Sequence, residues 1–574
     1  MAVLEGNWTG ASTVPSRSLY PHQWSWDSAF IAIGLRHLSP SRARTELETL
    51  FDAQWGDGRV PHIVFNPSVP LDAYFPSPDF WRSSTAGSAA GAPRSVQTSG
   101  IVQPPVHALA AWLVHRADPE GSRACGFLER LRPGLAAWHR YLLERRDLGG
   151  GGLVSVVHPW EQGMDNSPCW DAPLARVTPA PPHSFRRADL DHGAPGDRPT
   201  ELDYGRYVRL AADYRDRGYA DGPGEAAFAV EDPAFNALLI ASEQALAGIE
   251  EELGACGASR RADADRLTTA LVERLWAPAE GIFLCRDVGG AVGVRGGGLA
   301  GSASSAGSAG SVPESRWQRP SLGAAVVPGQ RSESSALASE QRSPATDESS
   351  ALALEHCSTP GDGESTALVT GRRPLASGDE STAHTSEHRS HPGRLIPQRS
   401  VSGLIPLLLP TLPGDISAAL VRTACGPHFG VGGAARLVPS YDLTGDAFDP
   451  DRYWRGPSWF NTAWLVERGL RRHGERDRAA ALREEFLKCA ARTGFAEYVT
   501  PRTGEGRGAR GFSWTAALTL DLLHEPDPSE TGPSETDAPE PGAPESGAHG
   551  PGASGPGASG SGFAGSLPVP GQRG

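Results

Sequence analysis

The number of segments with helical spacing of apolar residues constrains this fold more than any other feature of the chain. Leu128, Leu131, Leu135, Trp138 and Leu142 recur every three or four positions, the pattern of an amphipathic helix. Spacing and capping residues predict helices at about residues 27–35, 40–54, 104–117, 122–145, 199–218, 232–254, 259–276, 414–425, 457–473, 476–492 and 513–524. Strands are predicted to be short, as at residues 281–287.

The long loops between these helices carry most of the tryptophans and acids. An even set of helical hairpins with such loops predicts an all-α fold closed into a toroid. A coiled coil is excluded because no heptad pattern is sustained. A helical solenoid would need an internal repeat in the folded part, and none is present.

Composition divides the chain into four parts. Residues 1–288 and 394–524 are predicted to form the N-terminal and C-terminal parts of one catalytic domain. Residues 289–393 are rich in Gly, Ser, Ala and Pro and repeat a short unit, for example at 333–337 and 348–352. One unit has too little apolar surface to offset its ordering entropy, so this insertion is predicted to be disordered. The tail at 525–574 is predicted to be disordered for the same reason.

Charge and cysteine usage exclude several classes of partner. The net charge of −14 disfavours nucleic acid and anionic membranes. No apolar run is long enough to span a bilayer, and the first residues lack the pattern of a signal peptide. Seven dispersed cysteines without a C-x-x-C pair indicate free thiols in a reducing compartment. A cytoplasmic location is therefore predicted, with the oligomeric state left open, a homo-oligomer included.

The loop from Ser155 to Asp171 has the composition of a sugar site. It contains Trp160, Glu161, Asp165 and Trp170, and its prolines and glycine prevent one long helix. Indole faces suit the apolar side of a pyranose, and carboxylates suit hydroxyl groups and proton transfer. A buried structural loop with packed indoles is the alternative. No third ligand at metal spacing accompanies His183 and His192, so no metal and no other cofactor is predicted.

Four motifs together resemble glycoside hydrolase family 63, in particular the bacterial mannosylglycerate and glucosylglycerate hydrolases. They are His158-Pro-Trp-Glu-Gln-Gly-Met-Asp-Asn-Ser-Pro168, Gln23-Trp-Ser-Trp-Asp-Ser-Ala-Phe30, Tyr453-Trp-Arg-Gly-Pro-Ser-Trp459, and Glu497-Tyr498 with Phe512-Ser-Trp-Thr-Ala516. The resemblance covers about residues 1–287 and 394–524. It implies the (α/α)6 toroid, in agreement with the helix pattern, and an inverting glycosidase.

The resemblance also implies roles for individual residues. Asp165 matches the family's general acid, and Glu497 matches its general base, with Glu505 as the weaker candidate. Sugar contacts are implied for Trp24, Trp26, Asp27, Gln54, Trp160, Glu161, Trp454, Arg455, Gly456 and Trp459. Structural alternatives exist: Asp27 also fits a helix cap, and Arg455 fits a loop strut paired with Asp449 or Asp451. Trp514, inside the last predicted helix, is expected in the core.

The sequence departs from the family pattern at a few positions near these residues. The family leads us to expect Ser at position 162, where this chain has Gln162, and Arg at position 169, where it has Cys169. At Val499 and Thr500 we expect an aromatic residue followed by Asp.

The first prediction is an inverting hydrolase of a small α-glucoside or α-mannoside such as glucosylglycerate. An oligosaccharide α-glucosidase, a trehalase-like disaccharidase and an inactive sugar-binding protein are the alternatives. The sequence does not decide between glucose and mannose.

Overall fold

The structure is a computed structural model that describes residues 1–191, 195–222, 226–289 and 393–525. In chain order, the α-helices in these residues are α1 Ala2–Gly6, α2 Ser25–Leu35, α3 Pro40–Phe51, α4 Pro78–Trp81, α5 Ser83–Ala86, α6 His107–Ala117, α7 Pro119–Ala124, α8 Phe127–Arg145, α9 Pro159–Gln162, α10 Asp171–Leu174, α11 Glu201–Asp216, α12 Pro233–Glu252, α13 Ala258–Leu275, α14 Gly414–Cys425, α15 Phe460–Arg472, α16 Arg476–Thr493 and α17 Ser513–His524. A 3₁₀ helix spans Val401–Leu408.

The described strands are two residues long. They are β1 Gln23–Trp24, β2 Ile63–Val64, β3 Ser155–Val156, β4 Val230–Glu231, β5 Trp276–Ala277, β6 Ile282–Phe283, β7 Arg286–Asp287, β8 Arg394–Leu395, β9 Ser458–Trp459, β10 Tyr498–Val499 and β11 Gly506–Arg507. They pair antiparallel in the orders β1-β2, β3-β4-β7-β8, β5-β6 and β11-β10-β9.

Six inner elements form a closed ring. Helix α2 packs on α6, α6 on α12, α12 on the 3₁₀ helix Val401–Leu408, that helix on α15, α15 on α17, and α17 back on α2. Each inner element has an outer helix against it: α3 on α2, α8 on α6, α13 on α12, α14 on the 3₁₀ helix, α16 on α15 and α1 on α17. Inner and outer elements alternate along the chain. This is the (α/α)6 toroid, and the fold predicted from the sequence is confirmed.

Apolar patterning explains which helices are inside. Every residue of α2 is buried, as expected for a helix surrounded by its neighbours. By contrast, α13 and α16 each bury only one face, which suits an outer position. The seam between the two ends of the chain is tight, because a Cβ added at Gly34 of α2 would lie 2.1 Å from the Ala517 carbonyl oxygen of α17. The glycine lets the two backbones touch and the ring close.

Three of the short strands come directly before inner helices. Strand β1 leads into α2, β4 into α12 and β9 into α15. These strands also join neighbouring loops: β1 pairs with β2, with Trp24 opposite Ile63, and β9 pairs with β10, with Trp459 opposite Tyr498. The loops at the N-terminal ends of the inner helices are therefore fixed to one another by backbone hydrogen bonds.

Two sequence expectations differ from the structure in detail. The single helix predicted at 122–145 is broken into α7 and α8 by Gly126, whose φ of +62° is left-handed. The strand predicted at 281–287 is two strands, β6 and β7. None of the helices in the described ranges is long and apolar enough to cross a membrane.

The predicted insertion and tail lie outside the described residues apart from their edges, and the domain boundaries stay predictions. The described residues on either side of the predicted insertion lie next to each other, because β7 pairs with β8 and sets Asp287 opposite Arg394.

Candidate active site

A deep cavity is built by the loops that lead into the inner helices. Its wall contains six tryptophans, four tyrosines and two phenylalanines, which are Trp24, Trp26, Trp160, Trp454, Trp459 and Trp514, Tyr20, Tyr74, Tyr204 and Tyr453, and Phe75 and Phe512. The carboxyl groups in the same wall are Asp27, Asp165, Asp189 and Glu497. An aromatic cavity with a few convergent polar groups is typical of a small-molecule site.

Aromatic packing holds the wall rigid. Trp454 and Trp459 stack with parallel rings whose centroids are 3.9 Å apart. Trp454 has a φ of +58°, a left-handed conformation that is strained for a residue with a bulky side chain. Trp514 meets the ring of Trp26 edge-on at 5.5 Å. The stacking against Trp459 holds Trp454 in this strained conformation, and the contact with Trp514 holds the indole of Trp26.

Asp165 is held by the backbone of its loop. The Tyr207 hydroxyl donates to the Asp165 carbonyl oxygen at 2.7 Å, and the Trp170 indole N–H donates to the Met164 carbonyl oxygen at 2.7 Å. Burial raises the pKa of the Asp165 carboxyl to about 7; the nearby Glu497 adds to this shift and Arg198 opposes it. The carboxyl therefore keeps its proton up to near-neutral pH.

Glu497 comes directly before β10 and faces the same cavity. The Tyr20 hydroxyl donates to its Oε1 at 2.9 Å, and the Ala509 N–H donates to its Oε2 at 2.9 Å. Burial raises the pKa of Glu497, and the Arg198 guanidinium and these hydrogen bonds oppose that rise. Both carboxylate oxygens have fixed donors, so the orientation of the group is set before any ligand binds.

Arg198 is the one lysine or arginine among the described residues of the wall. Its Nη1 donates to the Tyr20 hydroxyl at 3.1 Å, and its guanidinium lies 4.7 Å from the centre of the Tyr453 ring. Because Tyr20 also bonds Glu497, a hydrogen-bonded chain links the cation to that carboxylate.

Asp27, in the first turn of α2, has its pKa raised well above the usual range by burial and then by the charge of Glu497.

The structure brings together most residues named from the sequence. Both proposed catalytic carboxyl groups and the predicted contacts Trp24, Trp26, Asp27, Trp160, Trp454 and Trp459 line one cavity. Trp514, expected in the core, lines it too. The sugar-contact roles themselves stay predictions.

Gln54 and Gly456 lie outside the cavity wall. The Gln54 amide donates to the carbonyl oxygens of Gly58 at 2.7 Å and Gly134 at 2.9 Å, so it joins α3 to α8. Gly456 is a point of close backbone approach, because a Cβ there would lie 2.3 Å from the Asp449 carbonyl oxygen.

Glu161 and Arg455 also lie outside the wall, each in an ion pair. Glu161 is buried against Arg146, at 2.8 Å between Oε2 and Nη1. Arg455 forms an ion pair within the protein, as in the structural alternative considered from the sequence. Its partner is Asp171, however, and not Asp449 or Asp451. The charges of Glu161 and Arg455 are therefore paired with other residues of the protein, and neither partner lines the cavity.

Sequence reasoning missed several wall residues, namely Tyr20, His62, Tyr74, Gln103, Arg198 and Tyr204. Tyr453 and Phe512 stood in quoted motifs without being given roles. Arg198 and Tyr204 come from a Pro-rich loop and the helix after it, which carry no motif. Only the fold brings that loop to the cavity. Across the described ranges, no group of three or more His, Cys, Asp or Glu side chains is arranged to hold a metal ion.

A closed ring of helix pairs around an aromatic cavity with carboxyl groups in its wall defines the class of (α/α)6 glycosidases. The model of the mannosylglycerate hydrolase MGH1-like glycoside hydrolase domain matches residues 20–313 and 363–515. The chain belongs to this family and is a glycoside hydrolase, so the resemblance drawn from the four motifs is confirmed.

Similar proteins support this assignment over most of the chain. The mannosylglycerate hydrolase of Rubrobacter radiotolerans is 34% identical over 528 residues, which is 91% of this chain and 95% of the relative. The glucosylglycerate hydrolase of Mycolicibacterium hassiacum is 34% identical over 531 residues, 91% of this chain and 96% of the relative. The crystal structure of the family 63 mannosylglycerate hydrolase from Thermus thermophilus with Tris and D-glycerate superposes with a TM-score of 0.66 at 32% identity, covering 91% of this chain and 98% of that chain.

Proposed function

We propose that this protein hydrolyses small α-glycosides of glycerate with inversion, with Asp165 as general acid and Glu497 as general base. The observation that carries the proposal is that the half-buried Asp165 and the buried Glu497 line one aromatic cavity. Inversion needs two carboxyl groups on opposite faces of the anomeric carbon, roughly 6.5–9.5 Å apart, so that a water molecule fits between the base and the sugar.

The surroundings of Asp165 suit a proton donor. Because burial raises its pKa to about 7, the carboxyl is protonated in much of the protein at neutral pH. It can then protonate the glycosidic oxygen as the bond to the anomeric carbon breaks. The sugar would lie between the indoles, whose faces cover the apolar side of a pyranose.

The surroundings of Glu497 suit a base. Burial raises the pKa of this carboxyl, and the donors on both oxygens and the nearby Arg198 oppose that rise by stabilising the ionised form. As a carboxylate it can take a proton from water as that water attacks the anomeric carbon. No cofactor is needed for either step.

The test is a time course of hydrolysis followed by proton NMR, with α-glucosylglycerate and α-mannosylglycerate as substrates. The wild type is expected to release the β-anomer first. Asp165→Asn should lower kcat by about 10²–10⁴-fold, the range of general acid catalysis. Glu497→Ala should lose activity similarly and be rescued by azide, giving the β-glycosyl azide.

Glu505→Gln is the matched control, because Glu505 is an exposed carboxylate on the neighbouring turn and should be dispensable. Initial release of the α-anomer would contradict inversion, and full activity of Asp165→Asn would remove that residue from its role. Binding of both glycosides without turnover by the wild type would favour the inactive sugar-binding alternative.

The glycerate part of the proposal is supported by Arg198 and by the names of the relatives. A buried guanidinium pairs strongly with a carboxylate, and this is the one such cation among the described residues of the wall. We therefore expect Arg198 to bind the carboxylate of the aglycone. A neutral disaccharide would leave this charge without a counter-ion from the substrate.

Substrate preference tests Arg198. The wild type should favour the glycerate glycoside over the glycerol glycoside of the same sugar, because only the former carries a charge. Arg198→Met should reduce this preference in kcat/KM by about 10²-fold, the cost of removing one partner of a buried charge pair. Arg198→Lys, which keeps the charge, should retain part of it. Equal loss on both substrates would contradict the role, and a wild-type preference for a neutral disaccharide would favour the oligosaccharide or trehalase-like alternatives.

A further inference from the structure

Beside the cavity, and outside its wall, a buried ion pair joins the loop of Asp165 to the end of α8. Arg146 donates from Nη1 to Glu161 Oε2 at 2.8 Å and from Nη2 to Glu161 Oε1 at 2.9 Å. The exposed fractions of the two side chains are 1% and 0%. This two-point geometry fixes both the distance and the plane of the pair.

Backbone donors complete the environment of Glu161. The Val157 N–H donates to Oε2 at 2.8 Å, and the Val102 N–H donates to Oε1 at 3.3 Å. The carboxylate therefore ties together α8, the segment before α6 and the segment before α9. All of these contacts are made by this one side chain.

Arg146 is fixed in turn by a second carboxylate and by a tyrosine. Its Nε lies 2.9 Å from Asp221 Oδ1 and 3.1 Å from the Tyr141 hydroxyl. Its own carbonyl oxygen accepts from Ser155 N–H at 2.7 Å, at the start of the segment that runs to Glu161. One residue thus holds both ends of the segment 155–161.

The position of Glu161 along the chain links this pair to the chemistry. Glu161 follows Trp160 of the cavity wall and precedes Asp165 by four residues. A buried ion pair is weak evidence for stability, since apolar side chains of similar size stabilise a protein as well or better. Two apolar side chains in these places would not fix the distance and the plane of their contact, whereas the two hydrogen bonds between Arg146 and Glu161 do.

We propose that Arg146 and Glu161 are positioning residues that set where the Asp165 carboxyl stands relative to the glycosidic oxygen. The inference rests on the proposed role of Asp165 as the general acid. Neither residue lines the cavity, so loss of the pair should misplace proton donation while the sugar still binds.

Leaving groups of different basicity separate this role from a merely structural one. An alkyl glycoside such as the glycerate substrate needs a proton on its leaving oxygen, whereas the 2,4-dinitrophenyl glycoside of the same sugar departs without one. Glu161→Gln should lower kcat for the alkyl glycoside by about 10–10²-fold, as expected for a catalytic group misplaced by about 1 Å. Its KM for that substrate and its kcat for the dinitrophenyl glycoside should stay near the wild-type values.

Removing one charge can prevent folding, so a second variant is needed. The double change Arg146→Met with Glu161→Met removes both members of the pair, while Asp221 keeps its contacts with Arg59, Tyr141 and Tyr214. Circular dichroism at the assay temperature verifies that this variant is folded. It should show the same selective loss on the alkyl glycoside. Glu243→Gln is the matched control, because Glu243 is also 0% exposed and pairs with His139 and Arg260, away from the cavity wall.

The outcomes separate this inference from the proposed function. If Glu161→Gln and the double variant lose both substrates in parallel, or lose neither, the positioning role is wrong. If Asp165→Asn itself loses both substrates in parallel, Asp165 is not the acid, and the proposed function is wrong whatever Glu161 does. A selective loss in the Glu161 and Asp165 variants, with Glu243→Gln unchanged on both substrates, is the expected result.

Discussion

At the scale of single residues, the burial that prepares Asp165 to donate a proton also costs stability. Its pKa rises from the ordinary 3.8 to about 7 because the charged form is poorly solvated in the cavity. Between these two values the unfolded chain has lost the proton and the folded chain retains it. The free energy of unfolding therefore falls as the pH rises through this range, by about 4 kcal/mol at most.

Asp165→Asn is expected to remove this pH dependence, because the amide never ionises. At pH 4 its free energy of unfolding should be close to that of the wild type. From pH 4 to pH 7 it should become increasingly more stable than the wild type, although inactive. Urea unfolding at four or five pH values measures the difference, with Glu505→Gln as a control at an exposed carboxylate. A constant difference between Asp165→Asn and wild type across the range would contradict the raised pKa.

The same residue scale explains why the sequence could not place two charged candidates, Glu161 and Arg455, relative to the cavity wall. Glu161 and Arg455 belong to the motifs that resemble the family, and charge in a motif favours an interpretation as a sugar contact. Their counter-ions, Arg146 and Asp171, lie 15 residues and 284 residues away in the chain. Local sequence carries no information on such partners, so only the folded chain shows that these charges are already satisfied.

At the scale of elements, the ring depends on contacts between helices from opposite ends of the chain. Helix α17 packs on α2, and both carry wall residues, Trp514 and Trp26. The spacing at this seam is set by Gly34, which allows the backbone of α17 to approach without an intervening side chain. A seam between two helices that both line the cavity couples packing to the shape of the site.

Gly34→Ala should open this seam. The added methyl group would collide with the Ala517 carbonyl oxygen, so the helices must separate, at a cost of about 1–3 kcal/mol for overpacking. The melting temperature and kcat/KM should both fall, since Trp26 and Trp514 move with their helices. Gly414→Ala at the start of α14 is the control, because a Cβ there meets nothing within 4 Å. An unchanged melting temperature in Gly34→Ala would show that the seam is not tight.

At the scale of the whole molecule, the two halves of the catalytic domain are joined through the sheet β3-β4-β7-β8. The antiparallel pairing of Asp287 with Arg394 holds the chain together across the stretch between them. The family model matches up to residue 313 and again from residue 363. Residues 314–362 are therefore an addition to the family pattern.

Deletion of residues 314–362 is expected to leave the glycosidase intact. The described residues of the ring, of the cavity wall and of the β7–β8 pairing all lie outside this stretch, so kcat/KM and the melting temperature are expected to match those of the full chain. Steady-state kinetics and thermal unfolding of the two proteins, side by side, test this. A large loss of activity in the shortened chain would give these residues a part in the site.

The sequence by itself determined the periodic elements and the chemistry they carry. Helical spacing is local, so most of the longer helices followed from the order of apolar residues, as α2, α12 and α15 illustrate. Two short elements of the ring, α1 and the 3₁₀ helix Val401–Leu408, were not predicted. The motif around Asp165 and the one that begins at Glu497 also stood in the sequence as recognisable runs.

Tertiary structure alone decided which side chains share the cavity. Tyr20, Arg198 and Glu497 come from three distant segments, and their contacts arise because the ring closes and brings the loops before its inner helices together. Burial, which raises the pKa of Asp165, is likewise a property of the closed ring. Proximity and burial are sums over many non-local contacts, so no short stretch of sequence contains them.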